Sequence, residues 1–206
     1  MVNHDESEDH SFSTIRLEAF SDAVMAIIVT LLILELKIPH LDQPTNAAVV
    51  SALIPLAPKF IGFAVSFVTI CIFWVNHHHF MHAIKEPDRA LLWYNNHLLF
   101  WLAVIPFVTG FIGDYPTEPV IIALYGFVLM MGAVAFSLMI YHAFFKGRLI
   151  HDHVADELRA KEFRRSRLGV LLYGASVPAA FIHPYISLAI FVILPLYYFL
   201  PRQFDE

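Results

Sequence analysis

Cysteine is nearly absent. The one residue, Cys71, stands inside an apolar run, so no disulfide forms within the chain and Cys71 reads as a small packing residue. Charge is sparse too: Asp, Glu, Lys and Arg make up 15% of 206 residues, against about 25% in an ordinary soluble domain. The eight glycines gather into no phosphate-cradling loop, and no dinucleotide fingerprint occurs. No internal repeat is visible. The opening stretch "MVNHDESEDHSFST" lacks the basic region and small-residue cleavage site of a secretory signal. With four acids in its first nine residues it reads as a solvated tail. No nucleic-acid partner is expected.

What the chain has instead is hydrocarbon. Apolar residues make up 58% and the mean hydropathy is +0.64, the composition of a polytopic membrane protein. A bilayer core needs about 20 mainly apolar helical residues. Six segments fit: about 15–37, 48–80, 90–111, 118–145, 166–182 and 185–200. In the second, Pro55, Pro58 and Lys59 mark an outer end or a kink. Pro106 and Pro195 fall inside spans, where neighbouring helices re-satisfy freed backbone groups. The last two segments are parted only by "IHP" at Ile182–Pro184, a tight hairpin; fused, they would make a helix too long for the membrane.

Charge asymmetry sets the orientation. Of 13 Lys and Arg, seven (Lys146, Arg148, Arg159, Lys161, Arg164, Arg165 and Arg167) lie between the fourth and fifth spans or at the start of the fifth. Lys85, Arg89, Arg16 and Arg202 share that side, and only Lys37 and Lys59 fall opposite. Both termini are therefore expected in the cytoplasm. The domain reading is an acidic cytoplasmic tail at 1–13, a six-helix transmembrane domain at 14–201 and a cytoplasmic tail at 202–206. Within the basic loop, "HVADELRAKEFRRSRL" predicts a short amphipathic helix near the inner surface, a solvated connector whose basic residues also suit anionic lipid.

The first span, "RLEAFSDAVMAIIVTLLILELKIP", mixes acids with hydrocarbon. At about 100° per residue, Arg16, Phe20, Ala23, Ile27, Thr30, Leu31 and Leu34 form one stripe, while Ser21 and Asp22 point away from it. Ionisable residues at membrane depth face a bundle interior and find partners. Candidates stand at matching depth in "FWVNHHHFMH" (Trp74, Asn76, His77, His78, His79) and "LLWYNNHLLFW" (Trp93, Asn95, Asn96, His97). Interfacial anchoring is the alternative reading of these aromatic and histidine residues.

Arg16-x-x-x-Phe20-Ser21-Asp22, with "AIIVTLLILELKIP" soon after, resembles the signature of the transmembrane protein 175 family, the endolysosomal potassium channels of animals and their bacterial relatives. "FWVNHHHF", Leu91-x-Trp93-x-Asn95 and Pro106–Phe107 extend the likeness. Animal members carry two six-span repeats and pair as dimers; a single-repeat chain resembles the bacterial type, which implies a homotetramer in the bacterial inner membrane. The resemblance implies an all-α channel, not an enzyme, with its first helix around a central pore. It implies passive flow of potassium in preference to sodium, with large aliphatic side chains as the constriction in place of a carbonyl filter. Carried over, Ile27, Thr30, Leu31 and Leu34 face the pore. Arg16, Phe20, Ser21 and Asp22 form a supporting network with Trp74, His78 and Asn95; an i+4 step from Trp74 selects His78 from the triple run. A Thr30 hydroxyl bonded back to its own helix is the plainer reading of that residue.

No cofactor and no metal site are expected; the permeant monovalent ion and membrane lipid are the expected partners. The twelve histidines, with His78-x-x-x-His82 at helical ligand spacing, keep a metal transporter or metal-dependent membrane enzyme as an alternative. A non-conducting accessory membrane protein is the other.

Overall fold

The structure, a computed structural model, describes residues 13–43, 45–151 and 155–199. All of the acidic tail but Ser13, and the 202–206 tail, lie outside the described residues. The described residues form seven α-helices: α1 (Thr14–Leu31), α2 (Asn46–Leu53), α3 (Ala57–His82), α4 (Arg89–Asp114), α5 (Pro119–Tyr141), α6 (Asp156–Ile182) and α7 (Pro184–Phe199). Of these, six are long and α2 is short. A 3₁₀ turn at Leu32–Glu35 continues α1, and a single π turn at His142–Lys146 continues α5.

Four of the helical segments are long and apolar enough to cross a membrane: Thr14–Glu35, Asn46–His82, Arg89–Asp114 and Pro119–Lys146. The second combines α2 and α3 through a 3₁₀ turn at Ile54–Leu56. Proline cannot donate to a helical ladder, and Pro55 and Pro58 stand where the first turns leave that donor unneeded. Lys59 pairs with Asp114, the last residue of α4, so these prolines and Lys59 stand at the end of the α3 span, with the short α2 before it. Pro106, Pro178 and Pro195 are carried inside unbroken helices.

One boundary differs from expectation. The amphipathic stretch before the fifth span is not a separate helix: α6 runs continuously from Asp156 to Ile182. No proline or glycine interrupts it before Gly169. Its first turns are held by Arg159 on Asp156 (3.1 Å) and Ser166 on the Phe163 carbonyl (2.8 Å). Its first turns are charged and its later ones apolar, a change of composition without a break in the helix.

The centre of the bundle is α5, packed between α4 and α6. Small residues let the backbones close in, as in membrane bundles generally. A side chain on Gly126 would overlap Ser176 and come within 3.2 Å of Phe191. Ser187 on α7 donates to the Ser176 carbonyl (2.7 Å), and His183, in extended backbone, makes the turn between α6 and α7.

The charged loops meet at one end. Ile84 and Ile150 form an isolated antiparallel bridge, with Lys85 N to Leu149 O at 2.8 Å and His151 N to Ala83 O at 3.1 Å. Asp88 caps α4 by accepting from Leu91 N (2.7 Å), and it also accepts from His142 Nε2 (2.8 Å). Partial burial pushes the Asp88 carboxyl up, but the Leu91 and His142 hydrogen bonds outweigh it and hold the group below its ordinary value. Arg148, in this junction, adopts left-handed backbone at φ 51°. Tyr198 near the end of α7 donates to the Arg165 carbonyl (2.7 Å), with the guanidinium 4.9 Å from its ring. The start of α1, the ends of α3, α5 and α7, and the starts of α4 and α6 therefore share one end of the bundle.

Candidate functional site at the first helix

Helix α1 is divided lengthwise. Leu17, Ser21, Met25 and Ile28, then Leu32 in the 3₁₀ turn, are buried against α3 and α4. Arg16, Phe20, Ala23, Ile27, Thr30, Leu31 and Leu34 are exposed on the other side. Ile27 is 58%, Leu31 44% and Leu34 66% exposed, high for branched aliphatics. Thr30 donates its hydroxyl to the Ile27 carbonyl at 2.8 Å. The donated proton leaves the lone pairs of that oxygen unused.

A polar chain fastens the buried face. Asn95 Nδ2 donates to Ser21 Oγ (2.9 Å), and Ser21 Oγ donates to the Leu17 carbonyl (2.8 Å). His77 Nε2 lies 2.8 Å from Asn95 Oδ1. A carboxamide oxygen only accepts, so Nε2 of His77 carries the proton. Ser21, His77 and Asn95 are each fully buried. Two further contacts run along the edge of the same interface. Trp74 Nε1 donates to Asp22 Oδ1 (2.9 Å), and His78 Nδ1 meets Glu18 Oε1 at 2.8 Å.

The predicted residues therefore fall into separate groups. Ser21 and Asn95 meet in the core, and Asp22 and Trp74 meet at its edge. His78, the expected member of the triple run, contacts Glu18, while His77 holds Asn95. Arg16 and Phe20 project from the exposed side, away from these bonds. Sequence reasoning also missed a buried triad farther along the bundle: Ser66 Oγ is 2.7 Å from Thr109 Oγ1 and 2.8 Å from Tyr125 Oη, joining α3, α4 and α5. Hydroxyls at matching depth in three apolar runs, Ser66, Thr109 and Tyr125, were its available signal. At the far end of α1, the Glu35 carboxylate packs against Gly110, where a side chain would collide with it. Lys59 pairs with Asp114 at the same end.

Helices of this length and composition, fastened by interhelical polar bonds, define an all-helical multi-pass membrane protein. Its relatives are specific. The family model described as "Endosomal/lysosomal potassium channel TMEM175" matches residues 16–106, the stretch that holds the α1 network and its partners. A protein of Chryseobacterium sp. (strain P1-3) named as a potassium channel is 32% identical over 192 residues, spanning 91% of this chain and 93% of that one. One of Streptomyces collinus (strain DSM 40733 / Tue 365), also named as a potassium channel, is 37% identical over 188 residues, 89% of this chain and 90% of that one. A crystal structure of a lysosomal potassium-selective channel TMEM175 homolog from Chamaesiphon minutus superposes with a TM-score of 0.79 at 31% identity, covering 90% of this chain and 95% of that chain. This chain belongs to the TMEM175 family. It is a channel, not an enzyme, and the histidine-based enzyme reading falls away.

Proposed function

We propose that four copies of this chain form a potassium-permeable channel in the bacterial inner membrane, with α1 of each copy lining the pore. The carrying observation is the bare face of α1: Ile27, Thr30, Leu31 and Leu34 lie opposite the side that Ser21 and Asp22 fasten to α3 and α4. One helix cannot enclose a pore, and a closed symmetric ring of identical chains does so with identical contacts. The full-length relatives named as potassium channels support the ion. In this reading α6 and α7 complete six spans as a hairpin, and lipid covers the remaining apolar surface. Eleven of the 13 Lys and Arg then face the cytoplasm, as do both termini.

Rings of Ile27, Leu31 and Leu34 make stacked aliphatic collars, and such constrictions gate by dewetting. A narrow apolar collar strips water from an ion and returns little. Potassium holds its hydration shell less tightly than sodium and loses less on passing, so selectivity is modest. The free lone pairs of four Thr30 hydroxyls offer replacement ligands and sharpen the preference. Ser21, Asp22, Trp74, His78 and Asn95 hold the helix from its buried side, while Arg16 and Phe20, expected in that network, share the exposed stripe. No cofactor takes part.

Ion flux in reconstituted liposomes tests this. Ile27→Asn and Leu34→Ala raise flux or relax selectivity, and Thr30→Val lowers the potassium-to-sodium ratio. If both collar substitutions leave flux unchanged, α1 does not line the pore.

A further inference from the structure

At the charged end of α3 two imidazole nitrogens face each other. His78 Nε2 and His82 Nε2 are 3.1 Å apart, with ring planes at 89°. The other nitrogen of His78, Nδ1, lies 2.8 Å from Glu18 Oε1 on α1. A carboxylate only accepts, so Nδ1 carries the proton and Nε2 presents its lone pair toward His82. We infer that His78 and His82 bind a divalent transition-metal ion of the zinc type, with Glu18 orienting His78.

Two nitrogens bound at about 2.0–2.1 Å in a tetrahedron stand about 3.3 Å from each other, close to the observed separation. The i, i+4 spacing places both rings on one helix face. Carboxylate, imidazole and metal in that order is the usual arrangement around metal-binding histidine: the carboxylate fixes the tautomer and raises ligand basicity. Ligand atoms of Glu18, His78 and His82 all lie within 4.8 Å of one another. His82 is exposed, which gives an ion access from water and leaves room for water ligands. Imidazole donors favour zinc, cobalt, nickel and copper over magnesium or calcium, which prefer all-oxygen shells. The sequence offers the i, i+4 pair without a thiolate, an HExxH motif or further histidine boxes, and it says nothing of a carboxylate on another helix.

The test is calorimetric titration of the purified, tag-free channel in detergent with zinc chloride, repeated with magnesium chloride. One zinc site per chain is expected, with no comparable magnesium binding. His82→Ala lowers zinc affinity at least tenfold, while His40→Ala, a distant exposed histidine, leaves it unchanged. Glu18→Gln lowers it about 10- to 100-fold, the usual range for such orienting groups. Zinc also raises the melting temperature of the parent and not of His82→Ala, since a ligand held only by the folded state stabilises it. A metal-free melting temperature equal to the parent's shows that His82→Ala folds; His82→Gln replaces it otherwise. Unchanged zinc affinity in the His82 variant, or equal losses in the His82 and His40 variants, overturns the site. Unchanged affinity in Glu18→Gln overturns the orienting role. None of these readouts depends on ion conduction.

Discussion

Replacing Asn95 with leucine tests how α1 is held. The side chain is fully buried and makes two bonds in opposite senses: it donates to Ser21 at 2.9 Å and accepts from His77 at 2.8 Å. Leucine keeps the same branched outline and is bulkier, so no cavity opens. Ser21 keeps its bond to the Leu17 carbonyl, but His77 Nε2–H is left buried without an acceptor. An orphaned buried donor costs about 1–3 kcal/mol. Interhelical hydrogen bonds in membrane bundles contribute about 0.6 kcal/mol on average and about 1.7 at most. Together these predict a loss of about 2 kcal/mol, roughly a thirtyfold change in the folding equilibrium. His77→Leu on its own leaves the Asn95 oxygen only the longer contact with Ser21 Oγ at 3.2 Å, and so costs less. The double variant removes both partners of that bond and should recover about 1–2 kcal/mol relative to the sum of the singles. Reversible unfolding in mixed micelles, read by tryptophan fluorescence, supplies the cycle. Simple additivity would refute the claim that the two residues act as one buried pair.

Asp88→Asn retains the cap on α4 but loses the charge facing His142. The carboxyl is held below its ordinary value in the folded protein, so its contribution is present above about pH 4 and disappears as pH falls through the depressed value. Asp88→Asn should therefore melt below the parent at neutral pH, and the gap should close in strong acid. Gly126→Ala places a methyl against Ser176 and Phe191 and should cost about 1–3 kcal/mol, measured as a lower melting temperature with unchanged helix content. Trp74→Phe keeps a ring but removes the donor to Asp22. Because that contact is exposed, about 1 kcal/mol of stability is expected to go, and less from Asp22→Asn than from Asp22→Ala.

Much of this was legible in the sequence because hydrocarbon and helix periodicity carry it. The α1 faces follow from residue spacing, and the structure separates Ser21 from Ile27 and Leu34 as the wheel does. Matching depth brought Ser21 to Asn95 and Asp22 to Trp74. Adjacent histidines were harder. Neighbours on a helix diverge by about 100°, so of three in a row one enters the core and another meets the edge; only the position of Asn95 decides which. The i+4 step from Trp74 points to His78, which meets Glu18 at the edge, while His77, at i+3, turns inward to Asn95. The start of α6 was hidden for another reason. Hydropathy registers where a helix leaves water, not where it begins, and the charged turns from Asp156 onward are helix without being apolar. Nothing in the spacing of α1 says which side chain of α3 Glu18 meets; only the packed helices bring it to His78.

The bridge between Ile84 and Ile150 has a consequence for how the chain is made. Synthesis delivers α1 to α4 well before Ile150 emerges from the ribosome. Until then Ile84, only 3% exposed in the finished protein, stands bare beside Phe80, and Asp88 waits for His142. A half-built chain thus carries an apolar spot at the water's edge. Exposed surface of that kind is what makes incomplete folding intermediates prone to aggregation. Arrival of the second half covers it, so the junction reports that translation and insertion have run past α5. A chain truncated before residue 142 should be unable to hide that spot and should be short-lived in the cell.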